Sequence, residues 1–109
     1  MKSKLYIDKE GNKYWYLNDK LHREGGPGVE YFDGDNFWYL NDKLHREGGP
    51  AIEYYNGDKF WYLNGKCHRE DGPAIIRSNS LKRWFLYGTE YSEQEYKYKM
   101  RLKKLEHIL

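Results

Sequence analysis

The sequence predicts a mainly β protein: a single-layer array of 23-residue β-hairpin repeats closed by a C-terminal capping α-helix. Three observations carry that prediction. The stretch WYLNDKLHREGGP at Trp15–Pro27 recurs letter for letter at Trp38–Pro50, and returns as WYLNGKCHREDGP at Trp61–Pro73. Trp15, Trp38, Trp61 and Trp84 fix the period at 23 residues, and a fixed period of about 20–50 residues marks stacked supersecondary units. Only 39% of the 109 residues are apolar, but 12 Tyr, 4 Trp and 4 Phe are among them. With a mean hydropathy of −1.11, that composition favours a thin sheet faced with large rings over a thick layered core.

The elements follow in order. Leu5–Asp8 reads as a strand, Lys9–Asn12 as a turn and Lys13–Leu17 as the returning strand, rich in the aromatic residues that a pleated surface accepts. The hairpin recurs at 29–32 and 37–40 around Asp33-Gly34-Asp35-Asn36, and at 52–55 and 60–63 around Asn56-Gly57-Asp58-Lys59. Asp-Gly and Asn-Gly tolerate the positive φ that a reversing ribbon needs. A fourth version, 75–77 and 83–86, has lost its turn glycine. After each strand comes a tight turn (Asn18-Asp19, Asn41-Asp42, Asn64-Gly65), then Lys-x-His and the loop Arg-Glu-x-Gly-Pro. There Gly26, Gly49 and Gly72 are expected to supply freedom of φ before a fixed proline. The repeat units lie near 11–33, 34–56, 57–79 and 80–92 of an array spanning 1–92.

Strand alternation puts Trp15 and Leu17 on one face and Tyr14 and Tyr16 on the other. Because the Trp/Leu pair recurs in all four copies, that face is expected to be the continuous core. The opposite face carries Tyr16, Tyr39, Tyr62 and Phe85, which form either a partner-binding stripe or the second side of a thin sheet.

The fourth copy ends differently. Ser92 with Glu95 is a capping-box pair, and residues 93–109 contain no Gly or Pro; they read as one helix covering the open edge of the array. At 100° per residue Tyr98, Leu102, Leu105 and Leu109 share one face while Tyr96 and Met100 point the opposite way. Two apolar faces imply two surfaces to cover: Tyr96 and Met100 against the sheet end, the other seam in a homodimer.

Charge narrows the partners. Residues 1–92 hold 14 Lys/Arg and 14 Asp/Glu, so no basic stripe is available for phosphates and nucleic acid is not the expected ligand. No apolar run suits a membrane span or a signal peptide. Cys67 stands where Leu21 and Leu44 stand, as a small buried hydrophobe in a reducing compartment. His22, His45 and His68 cannot converge on one metal, because neighbouring copies sit about 10 Å apart at two strand spacings each. A set of residues written three times serves the repeat rather than one active site. Arg23, Arg46 and Arg69 are expected to fork onto Glu24, Glu47, Glu70 or backbone carbonyls, or to stack on a ring. The histidines are expected to bond loop backbone. Catalytic, cofactor and metal residues are therefore none, and a non-enzymatic chain is expected.

The letters Trp-x-x-Asn-Gly-Lys-x-His in Trp61–His68, with the glycine of each hairpin turn, resemble the MORN family (membrane occupation and recognition nexus). The run WYLNGKCHREDGPA at 61–74 is closer to a divergent MORN-like class typical of bacteriophage and giant-virus proteins; the resemblance covers residues 5–95. It implies a hairpin array engaged in protein–protein contact, dimerisation or, in some members, anionic lipid association. By subtraction, with no chemistry, no membrane segment and no charge platform but a rigid aromatic-rich surface, the leading expectation is a small phage-type protein in the cytoplasm of a bacterial host that inhibits or modulates a host protein such as a CRISPR-type defence complex. An antitoxin-like immunity partner and a lipid-associating scaffold are the alternatives. The family's usual Gly-x-Gly after the His is here Arg-Glu-x-Gly-Pro, so no ligand residue carries over and the lipid analogy weakens.

Overall fold

The computed structural model describes residues 2–108; Leu109, the last residue of the predicted helix seam, lies outside them. Antiparallel hairpin strands are followed by one helix. The strands are β1 (Lys4–Ile7), β2 (Lys13–Leu17), β3 (Lys20–Leu21), β4 (Val29–Glu30), β5 (Asn36–Phe37), β6 (Tyr39–Leu40) and β7 (Lys43–Leu44). They continue as β8 (Ile52–Glu53), β9 (Lys59–Phe60), β10 (Tyr62–Leu63), β11 (Lys66–Cys67), β12 (Ile75–Ile76), β13 (Lys82–Leu86) and β14 (Thr89–Tyr91), before α1 (Glu93–Ile108). The main sheet runs β1-β2-β4-β5-β8-β9-β12-β13-β14 with β3 beside β2, and two ribbons, β6–β7 and β10–β11, stand apart from it.

Two kinds of turn create this order. The longer hairpins close as predicted, with Gly34 N–H donating to Tyr31 O and Tyr31 N–H to Asp35 O. The short ones place two consecutive residues at positive φ: Asn18 and Asp19 at 52° and 63°, Asn41 and Asp42 at 50° and 65°, Asn64 and Gly65 at 49° and 80°. That pair of angles is the mirror-image turn whose twist matches two antiparallel strands.

The predicted long strands 37–40 and 60–63 are interrupted at their tryptophans. Trp38 N–H donates to Ala51 O, while its carbonyl accepts from His45 N–H, and Trp61 does the same between Ala74 and His68. Each Trp thus hands the chain from the main sheet to a short ribbon. The ribbons are joined to one another by pairs of backbone bonds: Asp42 N–H to Leu21 O with Arg23 N–H to Tyr39 O, Gly65 N–H to Leu44 O with Arg46 N–H to Tyr62 O, and Gly88 N–H to Cys67 O with Arg69 N–H to Phe85 O.

The core does not lie where alternation alone placed it. Val29 pairs with Tyr14 and Phe37, Ile52 with Phe37 and Phe60, and Ile75 with Phe60 and Arg83. Directly paired residues share a face, so the buried aliphatic column formed by Val29, Ile52 and Ile75 belongs to the Tyr/Phe side. The Trp/Leu side is covered differently. Trp15, Trp38 and Trp61 are only half-buried and are roofed by Arg23, Arg46 and Arg69, whose guanidinium carbons lie 3.8, 3.9 and 3.9 Å from the ring centres. A flat cation tolerates water on its outer side, so these rings need no further protein layer.

Helix α1 closes the last edge. Ser92 Oγ accepts from Glu95 N–H at 3.1 Å and Glu95 Oε1 from Ser92 N–H at 2.9 Å, the predicted reciprocal cap. Tyr96 is buried; its hydroxyl donates to Arg69 O at 2.6 Å and accepts from Gly72 N–H at 3.2 Å. Lys103 adds an ion pair to Glu70. No helix among the described residues is long and apolar enough to cross a membrane.

Candidate functional site

The Tyr/Phe side of the sheet presents a continuous aromatic row. Tyr14 meets Tyr31 at 6.4 Å between ring centres, Tyr31 meets Phe37 at 5.4 Å, Phe37 meets Tyr54 at 5.7 Å and Tyr54 meets Phe60 at 5.7 Å. All four contacts are edge-on, with interplanar angles of 79–86°. This is the arrangement ring quadrupoles favour, and it fixes each ring at low entropic cost. Tyr6 extends the row at one end, 6.1 Å from Tyr14. Arg77 caps the other, 5.0 Å above Phe60.

The stripe expected from the sequence lies beside this row. Tyr16 stacks 6.5 Å from Tyr14 and is exposed. Tyr39, Tyr62 and Phe85 are half-buried, and Tyr62 and Phe85 pack against Cys67, Ala74 and Ile75. Burial raises the phenols of Tyr39 and Tyr62 above their ordinary range, and it pushes the Cys67 thiol up to about 11. Tyr62 and Phe85 therefore support the core beneath the face, whereas Tyr16 and the row from Tyr6 to Phe60 form its open part. Tyr31 and Tyr54 were not singled out in the sequence. The signal for them was the i+2 step from Val29 and Ile52, which becomes usable only once those two are known to point the same way.

The opposite side carries the His-Arg-Glu loops. Each histidine Nδ1 accepts a backbone N–H from the next short turn: His22 from Asn41 at 3.1 Å, His45 from Asn64 at 2.9 Å and His68 from Tyr87 at 2.9 Å. The remaining nitrogen of each ring faces Glu24, Glu47 or Glu70 at 3.3–3.9 Å. Each arginine donates to the proline carbonyl four residues on, Pro27, Pro50 or Pro73, at 3.0–3.1 Å, and reaches Glu30, Glu53 or Asp71. Of the roles expected for arginine, the carbonyl bond and the ring stack are both used, while Glu24, Glu47 and Glu70 turn to the histidines instead. Gly49 gives the guanidinium its room: a Cβ there would lie 2.9 Å from Arg46 Cζ and would push it from its seat on Trp38. The left-handed backbone belongs to its neighbour Gly48, at φ 83°. Between successive loops lie shallow hollows of about 450 Å³ beside Trp38 and about 380 Å³ beside Trp61, rimmed by arginine and glutamate.

Among the described residues no three His, Cys, Asp or Glu side chains are grouped to hold a metal ion. On α1, Tyr98, Leu102 and Leu105 are exposed on the side away from Tyr96.

Comparison with known proteins finds no matching family model, no similar curated protein and no similar solved structure.

Proposed function

We propose that this chain is a MORN-like hairpin array that works as a protein-binding module, most specifically a phage-type protein that engages and modulates a host protein in the bacterial cytoplasm, with a CRISPR-type defence complex as one such target. The observation that carries the reading is the aromatic row. Rings pinned edge to edge on a flat sheet offer large contact area without losing rotamer freedom on binding, the property that enriches Tyr at interface hot spots. Tyr6, Tyr16 and Tyr31 at its open end are 58, 38 and 37% exposed, enough for a partner to cover. Binding rather than catalysis is favoured because the repeated His and Arg side chains are engaged in holding backbone. The exposed Tyr98–Leu105 side of α1 is a second surface open to a partner.

The test is affinity capture from a bacterial lysate on the immobilised protein, run beside Tyr16→Ala/Tyr31→Ala and a control on the far side, Lys20→Ala. Loss of both rings is expected to reduce recovery of the specific partner by at least about tenfold, as for a hot-spot pair, with the melting temperature near that of the control. Equal recovery by all three proteins would remove the aromatic row as the binding face.

A further inference from the structure

We propose that β1 is a self-association site: two copies of this chain pair their β1 strands antiparallel, about a two-fold axis through Tyr6, and fuse their sheets into one. Among the described residues β1 is the first strand of the sheet and has β2 as its only neighbour. All four of its residues are exposed, with Leu5, Tyr6 and Ile7 at 48, 58 and 52%. A hydrophobic edge of this kind is a template for another strand.

Backbone direction selects the residues that can bond outwards. Asp8 N–H donates inward to Asn12 O across the hairpin, and the register pairs Tyr6 with Tyr14 and Lys4 with Tyr16. In an antiparallel ladder the inward and outward residues alternate, so Lys4, Tyr6 and Asp8 bond to β2. Leu5 and Ile7 direct N–H and C=O away from the sheet. β2 obeys the same alternation, since Trp15 N–H points to Gly28 O on its other side.

An isologous pairing must match each residue with its own symmetry mate. A two-fold axis at Tyr6 sets Leu5 against Ile7 of the second copy, the outward-facing pair, and makes four interchain backbone bonds. It also sets Lys4 against Asp8 of the second copy, twice. Hydrogen bonds from Asn12, Tyr14 and Glu10 outweigh burial and hold the Asp8 carboxyl below its ordinary value, so it meets the lysine as an anion. An axis at Leu5 would instead oppose Lys4 to Tyr6, and an axis at Ile7 would oppose Leu5 to Lys9. Only the central register pairs apolar with apolar and cation with anion. It also abuts the two Tyr6 rings, so that the aromatic rows of both copies run on into each other.

The experiment combines solution mass with cross-linking. Wild-type protein is expected to show a dimer that dissociates on dilution. Ile7→Pro removes an outward N–H and no inward one, a substitution that edge strands accept, and is expected to be monomeric. Lys4→Glu is expected to weaken the dimer by about tenfold, since two attractive pairs become repulsive. Under mild oxidation Tyr6→Cys should form a covalent dimer, because directly opposed Cα atoms of about 4.5 Å spacing suit a disulfide; Leu5→Cys and Ile7→Cys should each link far less. A monomeric wild type at every concentration would sink the proposal, as would preferential linking through Leu5→Cys. A dimer that survives Ile7→Pro but is lost in Leu102→Asp/Leu105→Asp would place the contact on α1 and overturn pairing through β1. If Ile7→Pro fails to fold, the three cysteine variants still decide the register.

Discussion

At the scale of single residues, two side-chain devices hold neighbouring hairpins together, and they differ in how visible they were. The histidine and arginine contacts could be anticipated as backbone bonds and ring stacks, because both residues recur beside an invariant Trp and Gly-Pro in the three copies. The second device could not. At the longer turns Asn12 Oδ1 accepts from Phe32 N–H at 2.8 Å, Asp35 Oδ1 from Tyr55 at 2.8 Å and Asp58 Oδ1 from Ser78 at 2.7 Å. These residues read as ordinary turn formers, and nothing local reveals a partner some twenty positions away. Asp58 also pairs with Arg77 at 3.2 Å. The Ser78 N–H above all, then Arg77, holds its carboxyl below the ordinary value despite the opposing effect of burial. A folded-state value below the unfolded one means stability that is fully present above the ordinary carboxylate range and is lost as pH falls through the depressed value. Asp58→Asn is therefore expected to melt lower than wild type near neutrality, with the gap narrowing as pH falls from neutral into the acid range below the ordinary carboxylate value. A gap of constant size in melts across that range would show that the charge of Asp58 contributes nothing.

At the scale of elements, the hairpins, their turns and the helix start were legible because each rests on a local rule: paired positive φ at Asn-Asp, a glycine in the longer turn, a reciprocal Ser92–Glu95 cap. The face assignment was not. Alternation says only that Trp15 and Tyr14 point opposite ways; which side is buried depends on Val29, Ile52 and Ile75 in the intervening strands, and on arginines that roof the tryptophans. Helix α1 shows both outcomes together. Tyr96 is buried against the sheet end, and Tyr98, Leu102 and Leu105 lie exposed on the other side. Yet the sequence did not indicate that the Tyr96 hydroxyl reaches into the third loop, where it satisfies Arg69 O and Gly72 N–H at once. Tyr96→Phe keeps the ring and removes both bonds, leaving two polar groups without partners at a cost of about 1–3 kcal/mol. The expected result is a lower melting temperature and faster amide exchange at Gly72, with the exchange of Trp38 in the central hairpin unchanged. Slowed or unaltered exchange at Gly72 would mean that the helix is held by Lys103 and apolar contact alone.

At the scale of the whole molecule, the protein is a slab of 51 × 34 × 18 Å with a radius of gyration of 16.0 Å, against about 13 Å for a compact domain of this length. Its accessible surface of 7562 Å² exceeds the roughly 6,500 Å² of a compact monomer of this mass. That surplus is what a thin array exposes, and it is the surface available to partners. The same thinness distributes stability unevenly. Each hairpin pairs with the ones beside it in the strand order, so an inner one is buttressed from both sides and an outer one from a single side. Among the described residues β1 lacks an outer neighbour, whereas the hairpin beside the fully buried Ala51 has one on each flank, and the last hairpin, beside Ala74, is covered by α1. Hydrogen exchange on dilute protein should therefore be graded. Amides of Ala51 and Trp61, bonded across the middle of the array, are expected to exchange last. Those of Tyr6 and its β1 neighbours are expected to exchange at least about tenfold faster, because the end hairpin opens without the rest. Uniform protection from β1 to β13 would show a single cooperative unit and contradict the nearest-neighbour account of what holds this protein together.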